Sequence, residues 1–70
     1  MKDIAKQIGE NIKYARKAKG LTQTQVAEKL FMTQQQYSRF ENGIFELNYS
    51  QIAQICKYLD TTPNELFEID

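Results

Sequence analysis

Histidine is missing from these 70 residues, and cysteine occurs once, as Cys56. A lone thiol without imidazole can build neither a thiol–imidazole pair nor a cysteine–histidine zinc site. No metal or other cofactor is therefore expected; an internal disulfide is likewise impossible, and a reducing cytoplasm is the natural home. Proline occurs once and glycine three times, while apolar residues recur at helical spacing along the whole chain. That combination predicts an all-α fold. There is no apolar run of about 18 residues, which excludes a membrane span. The apolar residues from Ile4 to Ile12 are broken by Lys6, Gln7 and Glu10, so no signal peptide is expected. Carboxylates are present, but nothing pairs them into an acid/base constellation, and one small helical domain leaves little room for a substrate pocket. An enzyme is not expected.

The formal net charge is zero, which by itself does not suggest a polyanionic partner. Its distribution does. Residues 1–43 carry eight basic against four acidic side chains, a balance of +4, and residues 44–70 one against five, a balance of −4. One half of the domain would face phosphates and the other would point away. A chain this short buries only about 60% of the surface its unfolded form exposes, so its stability margin is thin. With 41% hydrophobic residues it is nevertheless expected to be one globular domain, residues 1–70.

The informative stretch is LTQTQVAEKLFMTQQQYSRFENG, Leu21 to Gly43. Thr22 with Gln25, and Thr33 with Gln36, are two capping boxes that each open a short helix. Val26, Ala27 and Leu30 form one apolar stripe, and Tyr37 and Phe40 a second. Asn42-Gly43 ends the second helix. Two short helices with a tight connection make a helix-turn-helix, with its core over residues 22–42. On the second of them, from about Thr33 to Glu41, the side away from Tyr37 and Phe40 carries Gln34, Gln35, Ser38 and Arg39. Amide, hydroxyl and guanidinium are groups that pair with base edges, Gln with adenine and Arg with guanine. No carboxylate lies among them.

These segments, with IGENIKYARKAKG before them and QIAQICKYLDTTPNELF after, resemble the lambda repressor/Cro-type helix-turn-helix family over about residues 8–67. The resemblance implies a compact five-helix domain, binding of double-stranded DNA, and a transcriptional regulator, most simply a repressor. It makes Gln34, Gln35, Ser38 and Arg39 base-contacting residues, and Gln23, Thr33, Asn42, Lys13 and Lys17 phosphate-contacting ones. It also implies a structural pair of Arg16 and Glu41 that sets the angle of the reading helix. The turn residue that is usually glycine in the family is Phe31 here, and Ile44-Phe45-Glu46 stand where basic residues often follow the terminating glycine. Those departures, with the neutral overall charge, keep an alternative open: a protein-interaction module of the same fold, such as an antitoxin or anti-regulator.

Around this centre, the first helix is predicted from about Asp3 to Lys19, with Ile4, Ile8, Ile12 and Ala15 as core stripe. Gly9 inside it costs about 1 kcal/mol against Ala unless another helix approaches closely there. The apolar loop Ile44–Leu47 is expected to fold back on the core, or else to form a patch for a partner. Asn48 with Gln51 opens a fourth helix whose stripe is Tyr49, Ile52, Ile55, Cys56 and Leu59. Cys56 reads as a buried small hydrophobe. Thr62, Pro63 and Glu65 open a fifth helix with a capping box. Its Leu66 and Phe67, with Ile69, are either a lid on the core or a homodimer seam.

Overall fold

The computed structural model describes residues 3–69, and every regular element in them is helical. The order is α1 (Ile4–Ala18), α2 (Gln23–Lys29), α3 (Gln34–Glu41), α4 (Tyr49–Tyr58) and α5 (Pro63–Phe67). Each start is fixed by a short polar side chain that accepts from the backbone N–H three residues on: Asp3, Thr22, Thr33, Asn48 and Thr62. Such a cap is worth about 1 kcal/mol. The reciprocal bond that completes a capping box is present at Thr22–Gln25, Thr33–Gln36 and Asn48–Gln51. At α5 the expectation is corrected. Thr62 caps Glu65, but the Glu65 carboxylate bonds the hydroxyls of Thr61 and Thr62 rather than the Thr62 backbone. Pro63 takes the first helical position, where its missing N–H leaves no helix donor unsatisfied.

The core is drawn from all five helices: Ile12, Val26, Ala27, Leu30, Tyr37, Ile55, Leu59 and Leu66. Burying an aliphatic side chain of this kind contributes about 1.5–3 kcal/mol. Two residues of the expected stripes lie outside. Ile4, in the first turn of α1, and Tyr49, at the start of α4, are 59% and 93% exposed. Both sit at helix beginnings, and both line one open groove with Phe40, Phe45 and Phe67. Cys56 is half-buried, and burial with the nearby Glu65 charge pushes its thiol pKa up, which disfavours the thiolate form.

Gly9 has a direct structural reason. A Cβ there would stand 2.5 Å from the carbonyl oxygen of Phe40 and closer still to that of Glu41. The backbone of α1 therefore rests on the end of α3 with no side chain between. Gly43 continues the contact: its φ is +74°, and a Cβ would meet the Lys6 Cα at 2.6 Å. At the other end, α5 is tied to α1 by amides. Gln7 donates to the Phe67 carbonyl at 2.9 Å and Asn11 to the Leu66 carbonyl at 2.9 Å. These bonds satisfy carbonyls that a helix C-terminus leaves open.

The loop after α3 corrects the expectation of a fold-back. Leu47 packs against the core, but Ile44 and Phe45 are 64% and 51% exposed. Phe45 lies edge-on to Phe40 with ring centroids 6.4 Å apart. Leu66 is fully buried, which removes it from any dimer seam because its surface is already spent inside the domain. Half-buried Phe67 and exposed Ile69 are what α5 and its tail leave accessible.

Candidate nucleic-acid interface

The α2–α3 connection is short because it turns through a left-handed residue. Phe31 has φ 57° and its side chain is 92% exposed. Met32 N–H then closes the turn on the Ala27 carbonyl at 3.0 Å. A non-glycine residue in this conformation costs about 1–2 kcal/mol, and Phe31 recovers none of it by burial.

The turn delivers α3 with Tyr37 fully buried and Phe40 half-buried beneath it. Gln34, Gln35 and Arg39 are exposed, and Ser38 is half-buried with its hydroxyl accepting from the Asn42 amide at 3.3 Å. The Arg39 guanidinium lies over the Phe45 ring, 5.7 Å from its centroid. A cation–π contact at an exposed site is worth about 0.5–1 kcal/mol. Thus part of the apolar loop serves as a platform that steadies the last side chain of the ridge. The only carboxylate on α3, Glu41, is turned inward and 3% exposed.

Glu41 is the hub of a polar network under the ridge. Arg16 of α1 donates Nε to Oε2 at 2.6 Å and a terminal nitrogen to Oε1 at 3.2 Å. Its other terminal nitrogen donates to the Leu21 carbonyl at 2.8 Å, fixing the entry to α2. Gln23, in the first turn of α2, donates to Glu41 Oε1 at 3.0 Å, and Gln34 donates to Gln23 Oε1 at 2.5 Å. Burial pushes the Glu41 carboxyl up, but the bonds from Arg16 and Gln23 outweigh it and hold the group below its ordinary range. The bond to Glu41 in turn raises Arg16. Burial and the same carboxylate drive the Tyr37 phenol well above its usual value. Its hydroxyl is sealed in without a hydrogen-bond partner.

Of the other expected contact residues, Thr33 caps α3 by accepting from the Gln36 N–H. Asn42 caps its far end, and Lys13 and Lys17 are exposed one turn apart on α1. The Gln34–Gln23–Glu41 chain was not expected from the sequence. Its only signal there is that Gln23 and Gln34 both occupy the first position of a capped helix. Among the described residues no group of His, Cys, Asp and Glu is arranged to hold a metal ion, and no helix is long and apolar enough to cross a membrane.

Comparison with known proteins agrees with this architecture. The chain is 37% identical over 59 residues to YqaE of Bacillus subtilis, described as an uncharacterized HTH-type transcriptional regulator; the match covers 84% of this chain and 51% of that protein. Proteins with the same description in Rickettsia prowazekii and Sinorhizobium fredii are 34% and 30% identical over 61 residues, covering 87% of this chain and 47% and 43% of theirs. The chain thus spans about half the length of the curated relatives it matches. A helix-turn-helix family model matches residues 12–66, from the middle of α1 to within α5, so the chain belongs to the lambda repressor/Cro-type helix-turn-helix family.

Proposed function

We propose that this chain is a sequence-specific double-stranded DNA-binding domain of a transcriptional regulator, acting most simply as a repressor that occludes a promoter. One observation carries the reading: the outward ridge of α3 holds Gln34, Gln35, Ser38 and Arg39 with no carboxylate, while its only acid is turned into the core. In the docking geometry of such helix pairs, the first turn of the second helix meets base edges in the major groove. Gln34 and Gln35 occupy that turn, and Ser38 and Arg39 extend the readout. Thr33, Gln23 and Asn42, at the ends of α2 and α3, would hold flanking phosphates, and Lys13 and Lys17 would add charge from α1. A two-fold dimer through Phe67 and Ile69 would read two half-sites about one helical turn apart.

The test is retention on random-sequence and selected duplex DNA across a salt series. Binding should fall steeply with added salt, as expected when several phosphates are neutralised. Loss of binding that is flat in salt, or no binding at low salt, would refute the proposal. The second reading, a protein-interaction module, is favoured by the exposed Phe31, Ile44, Phe45 and Tyr49, and predicts the flat outcome.

A further inference from the structure

The last turn of α3 and the loop after it close on one another twice. The Arg39 carbonyl accepts from the Ile44 N–H at 2.9 Å and from the Phe45 N–H at 3.5 Å. That backbone clasp brings the Phe45 ring to the Arg39 side chain, with the guanidinium carbon 5.7 Å from the ring centroid. The ring is itself braced by half-buried Phe40, edge-on at 6.4 Å and 61°. Residue 39 thus fixes the loop through its backbone and meets the loop's ring with its side chain. Among the described residues no hydrogen bond or ion pair engages this guanidinium, so Phe45 is what orders it and its planar fork of N–H donors stays available. From residue 44 to residue 56 the chain has no Lys or Arg. The loop therefore brings aromatic surface, and no positive charge, to the end of the ridge.

We propose that Phe45 is a positioning residue for Arg39 and, through it, a determinant of specificity: the ring holds the guanidinium in the orientation from which it reads the O6/N7 edge of guanine. The inference deepens the DNA-binding reading and rests on it, through the assignment of Arg39 to a base. An arginine free on a helix surface samples many rotamers and gives up that freedom on binding. One already laid on a ring gives up less, and only in the orientation the ring permits. The benefit goes to the base edge that this orientation fits, so the effect is on discrimination and not on affinity for every sequence alike.

Phe45→Leu keeps apolar bulk against Phe40 and removes the π-face, whereas Phe45→Tyr keeps both. Phe45 is 51% exposed and outside the buried core, so both variants should fold. Discrimination is measured as the ratio of dissociation constants for guanine and its competitors at the base pair whose preference Arg39→Ala removes. Phe45→Leu should lower that ratio about two- to fivefold, the size of an exposed cation–π contact, with the salt slope unchanged because no charge is altered. Phe45→Tyr should keep the ratio. In the DNA-free protein, the Arg39 side-chain protons should carry an upfield ring-current shift that disappears in Phe45→Leu and persists in Phe45→Tyr. The inference is overturned if Phe45→Leu changes nothing or weakens every sequence equally, if Phe45→Tyr behaves like Phe45→Leu, or if Arg39→Ala removes no base preference. A parent protein without salt-dependent DNA binding overturns the DNA-binding reading itself, and this inference with it. A parent that binds, with selectivity untouched in Phe45→Leu, overturns this inference alone.

Discussion

Arg16 and Glu41, twenty-five positions apart, meet inside the domain at 2.6 Å, with side chains 9% and 1% exposed. The pair joins the last turn of α1 to the last residue of α3, whose carbonyl also rests against Gly9 farther along α1. It therefore sets how α3 leaves the body of the protein.

Breaking this pair on one side should be severe. Arg16→Met leaves a buried carboxylate facing Gln23 and a closed-in phenol, a loss of about 3–5 kcal/mol. Whole domains of this size are stable by only about 0.05–0.15 kcal/mol per residue. Thermal unfolding followed by circular dichroism should show a fall in Tm of more than about 10 °C. The double variant Arg16→Met/Glu41→Leu should recover much of it. A small shift for the single variant would mean that water reaches the pair.

Acid should unfold the protein through the same residue. The folded-state Glu41 pKa lies below its unfolded value, so the native state favours the charged form. That contribution is fully present above the unfolded carboxyl pKa of about 4.3 and is lost as pH falls through the lower folded value. Denaturant midpoints at pH 6 and pH 3 should differ, and the difference should shrink in Glu41→Gln. Equal differences in the two proteins would place the acid sensitivity elsewhere.

Phe31→Gly should stabilise the domain. It relieves a left-handed conformation costing about 1–2 kcal/mol, against about 0.5–1 kcal/mol of added unfolded-chain freedom. No packing is lost, since the ring is in solvent. A net gain of about 0.5–1 kcal/mol, or a few degrees in Tm, is expected. A loss instead would reveal that the ring is covered in solution.

Gly9→Ala opposes two effects of known sign. Helix propensity favours Ala by about 1 kcal/mol. The added Cβ, under 3 Å from two carbonyl oxygens of α3, forces the helices apart, and overpacking of this kind costs about 1–3 kcal/mol. Backbone against backbone has no side chain to yield, so the clash should win and Tm should fall. Neutral or raised stability would show that α1 and α3 sit farther apart than described.

On DNA, two substitutions should separate base reading from phosphate grip. Gln34→Ala should relax preference at one base pair by about 1–3 kcal/mol. Lys17→Ala should weaken every sequence alike and lower the salt slope by about one unit. Site selection with the Gln34 variant and salt titration of the Lys17 variant decide both. An unchanged selected site would remove Gln34 from the base contacts.

What the linear order of residues determined here is local. Caps at Asn48, Thr22 and Thr33, the 3.6-residue stripes of Val26–Leu30 and Tyr37–Phe40, and the stop at Asn42-Gly43 all act within about one turn, and each was readable from spacing. The polar make-up of the α3 ridge followed from the same periodicity, and the Arg16–Glu41 brace from family likeness. Only the tertiary structure decided which stripe residues find a neighbour, leaving Ile4 and Tyr49 in solvent while Leu66 is sealed. It alone placed Phe45 under Arg39 and strung Gln34 to Glu41 through Gln23. The physical reason is range: caps and stripes depend on neighbours three or four residues away, whereas burial and these contacts depend on how segments distant in sequence pack against one another.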